Sequence, residues 1–226
     1  MPRLPAGLVF RRSVLVAATL ALAPRAALAQ VELQGFLGSS VNSPSPLSIT
    51  QRGQPDLHLT GHWATRPFRP TWYYAARLAL WRGNRGWALD FTHHKMYLID
   101  RPGPIQRFEL SNGVNMVTVS RAFRSRKLSW AVGAGPVVTF PISRVRGTEL
   151  ERRRGFFGGY FLSGATAMAS VTRRFPLAAG VFLSLDSRVS ASYVRVPVAN
   201  GHASVPNLAL HFHAGLGYGG PHRPGC

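Results

Sequence analysis

The chain is short of charge, of acids, of lysine and of cysteine. Charged residues make up 15% of its 226 positions, where a soluble domain carries about a quarter. Eight acids stand against 27 basic residues, and only Lys95 and Lys127 among the latter are lysines. The one cysteine, Cys226, has no partner within the chain, which excludes a disulfide scaffold, a zinc ribbon and a CxxC redox site. Disorder is excluded by the 46% hydrophobic content. Beyond residue 29 no apolar run reaches the roughly 18–20 residues of a spanning helix, so a helical membrane protein is excluded too.

What is present begins with an export signature. Arg3, Arg11 and Arg12 form a basic start, Ser13 to Ala23 an apolar run, and Ala27-Leu28-Ala29 a small-x-small cleavage pattern. This predicts a signal peptide over 1–29 with cleavage near Ala29. Arg11-Arg12-Ser13 also fits a twin-arginine signal. Export, and the absence of a binding motif, argue against a nucleic-acid partner for the formal charge of +19.

The remainder reads in twos. Leu208, Leu210, Phe212, Ala214, Leu216 and Tyr218 alternate with small or polar residues, as do Val181, Leu183, Leu185, Val189, Ala191 and Tyr193, and Trp72, Tyr74, Ala76, Leu78 and Leu80. Segments 57–66, 71–82, 86–98, 105–123, 127–139, 159–173, 179–194 and 207–218 make eight strands. Residues 31–38 read as a further, partial one, which keeps ten open as an alternative. In 105–123 the apolar set runs Phe108, Leu110, Val114, Met116 and then Val117, Val119, Phe123, so a β-bulge near Met116 is expected. Tight connections (83–85, 124–127, 173–176) alternate with longer ones (99–104, 140–158, 194–206). Short turns on one rim and long loops on the other are the mark of a membrane barrel.

The polar face decides between such a barrel and a water-soluble sandwich. It holds Gly, Ala, Ser, Thr and His with isolated ions, which suits a narrow lumen where charges must be paired. The opposite face is almost purely apolar, as lipid demands, and Trp72, Trp87, Tyr193 and Tyr218 fall where an interfacial girdle sits. The expected fold is an all-β, antiparallel, up-and-down transmembrane β-barrel of about eight strands. Residues 30–56 precede it as a partial or first strand plus loop, 57–218 form it, and 219–226 are a Gly/Pro-rich tail.

With its signal, period-two strands, alternating loops and a last strand ending Leu216-Gly217-Tyr218, the chain resembles the small bacterial outer-membrane β-barrels over roughly 31–218. The resemblance implies an outer-membrane location, outer-membrane lipids and lipopolysaccharide as surroundings, insertion by the barrel-assembly machinery, and a monomer. Those proteins usually end on an aromatic, whereas here Gly219 to Cys226 follow Tyr218.

By phase, the expected interior polar network is Glu32, His58, His62, Arg77, Asp90, His94, Glu109, Asp186, Arg188, His211 and His213, with Arg77 and Asp90 brought together by their hairpin. Hydrogen bonding among these groups is preferred to a metal site, and no cofactor is expected. Arg144, Arg146, Arg152, Arg153 and Arg154 form an Arg-rich loop able to contact phosphates. The lipid A deacylases, some of which this architecture resembles, carry a His and a Ser two apart on a strand. The matching pair here, His202 and Ser204, falls in an expected loop without an evident acid. The leading expectation is therefore a packed, non-catalytic barrel with a structural, adhesive or lipopolysaccharide-contacting role, followed by a narrow pore and by a lipid A acyl hydrolase.

Overall fold

A computed structural model describes residues 29–151 and 155–220. The expected signal segment up to residue 28, Arg152, Arg153, Arg154 and Cys226 lie outside the described residues. The described residues form thirteen strands and no helix. In chain order these are β1 (Gln30–Asn42), β2 (Ser45–Gln51), β3 (Leu57–Gly61), β4 (Trp63–Ala64), β5 (Tyr74–Arg82), β6 (Arg85–Leu98), β7 (Ile105–Ser125), β8 (Leu128–Thr139), β9 (Ile142–Val145), β10 (Thr148–Glu149), β11 (Phe161–Pro176), β12 (Val181–Val198) and β13 (Gly201–Gly219).

Eight of them close an antiparallel ring in the order β1, β5, β6, β7, β8, β11, β12, β13, with β13 returning to β1. Closure leaves the ring no free edge, and hydrocarbon requires this because it offers unpaired backbone groups no alternative partner. Tight connections at Gly83-Asn84, Arg126-Lys127 and 177–180 lie on one rim, the turn rim, together with the start of β1 and the end of β13. The remaining strands lengthen the wall at the opposite, loop rim: β2 and β3 continue from β13, β4 pairs the end of β6, and β9 and β10 extend from β7.

The eight-strand count stands, but its membership differs from expectation. Residues 31–38 belong to a full stave, β1, and 57–66 is not a stave at all. It forms β3 and β4 in the loop-rim extension. Both ends of the barrel thereby meet at the turn rim. The expected loop over 194–206 is also corrected, because β12 and β13 run on as one hairpin to the two-residue turn Ala199-Asn200. Asn200 takes the left-handed φ of 58° that asparagine tolerates. A side chain on Gly201 would collide with the carbonyl of Thr50, so glycine lets β2 dock there.

The reason lies in a polarity inversion along single strands. On β12, Val181, Leu183, Leu185, Val189 and Tyr193 point outward and are exposed, while Ser184, Asp186, Arg188, Ser190 and Ser192 are buried inside. From Val194 the same inward parity carries Val194, Val196 and Val198, and the outward face carries Arg195. Tyr193 and its register partner Pro206 mark the crossing point. Below it the outside is oily and the inside polar, as lipid dictates. Above it the arrangement is that of a water-soluble β-protein.

Strand β7 obeys the same rule, which replaces the bulge expected near Met116. From Phe108 onward the inward parity does not change: Phe108, Leu110, Val114, Met116, Thr118 and Ser120 are all buried, and only their chemistry switches. The irregularity sits higher. His94 pairs Val114 and Met96 pairs Leu110, so β7 carries two extra residues there and parity is conserved. Leu47, Ile49, Trp63, Met96, Phe108, Leu110, Val137, Val196 and Val205 belong to the resulting apolar cluster inside the loop-rim extension.

This inversion predicts a split in mutational response. Val196→Asp places a carboxylate in the apolar cluster at a cost of about 1–3 kcal/mol or more, and makes the bond after Arg195 cleavable by trypsin in the bilayer-inserted protein. Thr60→Asp, on the exposed face of β3, leaves it resistant.

Candidate functional site

The lumen of the membrane belt is the densest collection of functional groups among the described residues. Strand alternation aims one residue in two into it, and the ring is too narrow for side chains from opposite walls to avoid each other. At its centre stand two arginines and two aspartates, all buried. Arg77 on β5 meets Asp90 on β6 at 2.7 Å through Nε, the contact expected from their hairpin register. It also reaches Asp186 on β12 at 3.4 Å. Arg188 closes the square, with Nη2 at 3.2 Å from Asp90 and 3.4 Å from Asp186.

Two charges of each sign cancel, and hydroxyls satisfy most of the remaining valences. Arg77 donates to Thr172 at 2.9 Å and to Ser170 at 2.8 Å, and Arg188 to Thr92 at 2.6 Å. Ser120 donates to Asp90 at 3.1 Å and Thr172 to Asp186 at 2.7 Å. Asp186 further accepts from His213 Nδ1 at 3.0 Å. The square thus ties together β5, β6, β7, β11, β12 and β13. Room for it comes partly from β8, whose inward Gly133 and Gly135 abut β7 so closely that no Cβ fits.

Toward the turn rim a second ion pair joins Arg174 to Glu32 at 2.7 Å. Gln34 bridges Glu32 and Ser184, and Trp81 with Ala79, Ala88, Ala122 and Ala131 fills the space beyond. Toward the loop rim lies a histidine layer. Tyr73 Oη is 2.6 Å from His211 Nδ1 and 3.1 Å from His213 Nε2, and His211 Nε2 is 2.7 Å from Ser190 Oγ. His94 bonds Ser40 and Asn42. A continuous chain therefore runs Asp186, His213, Tyr73, His211, Ser190. It contains a serine beside an imidazole, and every member is buried, so the chain links β12, β13 and the segment leading into β5. Among the described residues no group of three or more His, Cys, Asp or Glu is arranged to hold a metal ion.

Of the residues expected in the network, Glu32, Arg77, Asp90, His94, Asp186, Arg188, His211 and His213 lie inside. Three do not. His58 is exposed on β3 and pairs Ser48 at 3.0 Å. His62 is exposed and pairs Asp100 at 2.9 Å. Glu109 faces outward on β7 and takes Arg107 at 3.0 and 3.1 Å. All three lie above the crossing point, where polar side chains face water. Tyr73, Thr172, Ser190 and Arg174 were missed, although each shares the inward parity of a strand already recognised.

Two arginines of the Arg-rich loop, Arg144 and Arg146, lie among the described residues. Arg146 is spent on the protein itself, donating to Gln51 at 2.7 Å and to the carbonyl of Pro55. Arg144 stands in a ladder, opposite Arg107 on β7 and opposite Glu149 on β10. His202 and Ser204 lie on β13 rather than in a loop, on its outer face. His202 lies 2.9 Å from Arg195 on the neighbouring strand β12, and among the described residues no carboxylate bonds it.

The square makes a stability prediction. Asp186→Ala strands two arginines and lowers the unfolding free energy of the vesicle-inserted barrel by about 3–5 kcal/mol. Asp100→Ala, whose partner is exposed, changes it by less than about 1 kcal/mol. Urea titration followed by tryptophan fluorescence separates the two, and equal midpoints contradict the assignment.

No family model and no curated protein matches the chain. Its fold is similar in outline to Neisserial surface protein A, at TM-score 0.41 and 10% identity over 83% of this chain and 96% of that one. It is similar to OprG from Pseudomonas aeruginosa, at TM-score 0.45 and 10% identity over 85% and 96%. It is similar to Ail, the attachment invasion locus protein of Yersinia pestis, at TM-score 0.38 and 10% identity over 85% and 97%.

Proposed function

We propose that this protein is a closed bacterial outer-membrane barrel that neither conducts nor catalyses, and that it works as a structural or adhesive element through the rigid sheet at its loop rim. The observation that carries this reading is the filling of the lumen twice in series. A hydrogen-bonded ion square blocks the membrane belt, and an apolar cluster blocks the extension above it. A narrow pore needs a continuous wet path, and neither layer supplies one. An acyl hydrolase needs an activated nucleophile near lipid, and among the described residues no carboxylate bonds His202 beside Ser204.

On this reading the segment 1–29 directs export and the barrel-assembly machinery inserts the staves. The loop rim then faces outward among lipopolysaccharide. Its outer surface mixes signs, with Arg107 beside Glu109 and Arg144 between Arg107 and Glu149. Such a surface suits a specific contact rather than general attraction to polyanions.

Conductance tests the proposal. The purified protein inserted in planar bilayers gives no discrete current steps, and the double variant Arg77→Ala/Arg188→Ala gives none either, because the apolar cluster remains. Steps in the wild type overturn the closed-lumen reading. A changed acyl pattern of lipid A in cells expressing the protein, lost in His202→Ala, overturns the non-catalytic one.

A further inference from the structure

The acids of the chain are distributed in a way that leaves one surface purely cationic. Three of the eight, Glu32, Asp90 and Asp186, are buried in the lumen. The other five, Asp56, Asp100, Glu109, Glu149 and Glu151, all belong to loop-rim segments. No acid remains on the outer surface of the turn rim. That surface carries Arg82, Arg85, Arg121, Arg126, Lys127 and Arg173, each exposed or half-buried.

These cations are gathered on one side. They come from β5, β6, β7, β11 and the turn between β7 and β8. Around the rest of the rim, β12, β13 and β1 present Val181, Leu183, Leu216, Tyr218, Val31 and Leu33 outward, with no charge. The cationic side also opposes like to like. Arg82 and Arg85 are register partners across the Gly83-Asn84 turn, and directly opposed like charges destabilise a strand pair unless something neutralises them.

The geometry fixes the depth of these charges. Arg121 lies over the Trp87 ring at 5.2 Å and the Phe123 ring at 5.7 Å, with Nη1 on the carbonyl of Gly86. Arg173 lies over Phe175 at 5.2 Å. Trp130 stacks on Phe123 in the same outward patch. Outward aromatic rings of a membrane barrel sit at headgroup level, so guanidinium groups held beside them lie at the height of lipid phosphates, where bidentate pairing is available.

We propose that the β5–β11 side of the turn rim is a binding surface for the phosphate headgroups of anionic phospholipids in the leaflet it contacts. Its recognition is of charge and depth: several phosphates are gathered by paired arginines on an aromatic shelf. The surface is separate from the loop rim and rests on the membrane-barrel reading. It sets which lipid surrounds one flank of the barrel, and in which orientation the barrel resists tilting.

The experiment uses the full chain refolded into vesicles of equal parts phosphatidylcholine and phosphatidylglycerol, with retained lipid read by native mass spectrometry. Heat-modifiable gel mobility reports folding. Wild type retains phosphatidylglycerol in excess over the bulk ratio, and the excess falls as salt rises. Arg121→Gln/Arg173→Gln reduces the retention by roughly tenfold or more, at about 1 kcal/mol for each cation at a membrane surface. Arg107→Gln/Arg144→Gln, at the other rim, leaves it unchanged. Retention at the bulk ratio by folded wild type, or equal loss in both variants, overturns the proposal while leaving the barrel intact. Should the turn-rim variant fail to fold, a salt-independent wild-type excess overturns it alone. A chain that never enters the vesicles overturns the membrane reading and this proposal with it.

Discussion

A closed sheet in hydrocarbon has only two places for charge: its lumen and its rims. The rest of the structure follows from that constraint. The outer face of the belt is mostly aliphatic and aromatic, and the ions of its middle are driven inward, where they must cancel. Arg77, Asp90, Asp186 and Arg188 do so as a square in which each arginine touches both carboxylates. Removing any corner leaves a buried charge without its counter-charge, which explains why hydroxyls from Ser120, Ser170, Thr92 and Thr172 crowd around it. The square is costly to desolvate and is no source of net stability by itself. Its effect is to fix which strands face each other across a lumen that apolar packing does not specify.

The same constraint ends abruptly at the membrane edge. Above Tyr193 and Pro206 the strands continue without a break, but their surroundings change from lipid to water, and the inside becomes the dry side. The wall is one continuous sheet serving two solvents. The loop-rim half folds like a small soluble β-domain around Val194, Val196, Leu47 and Phe108, while the belt below is inside-out. The two fillings together underlie the proposal that the lumen is closed, and they account for the length of β12 and β13 beyond the belt.

Much of the belt was legible from alternation alone. Arg77 and Asp90 sit between apolar neighbours, and Asp186 and Arg188 are flanked by Leu185 and Val189, on strands long enough for their parity to be unmistakable. The extension was illegible for a physical reason. A period of two states that the faces differ, and leaves open which of them is inside. Phe108 and Leu110 look outward if lipid is assumed and inward if water is, and the assumption of lipid sent Glu109 into the lumen. His58 and His62 followed the same error. The hairpin at 194–206 carries Pro197, Gly201 and Pro206 and so reads as a loop, although Val194, Val196, Val198, Ala203 and Val205 keep perfect inward alternation through it. Tyr73 fell on the inward parity of the expected strand 71–82, but as an uncharged aromatic it carried nothing to mark it as part of a polar network.

The central claim is that a single strand inverts its polarity where it leaves the bilayer. Nitroxide labels placed singly on the outward face of β12, at Leu185, Val189, Arg195 and Pro197 in a Cys226→Ser background, measure it directly. The account predicts that labels at 185 and 189 collide with lipid-dissolved oxygen and are shielded from a water-soluble nickel chelate, while those at 195 and 197 show the reverse. Uniform exposure to the chelate along all four sites would contradict it.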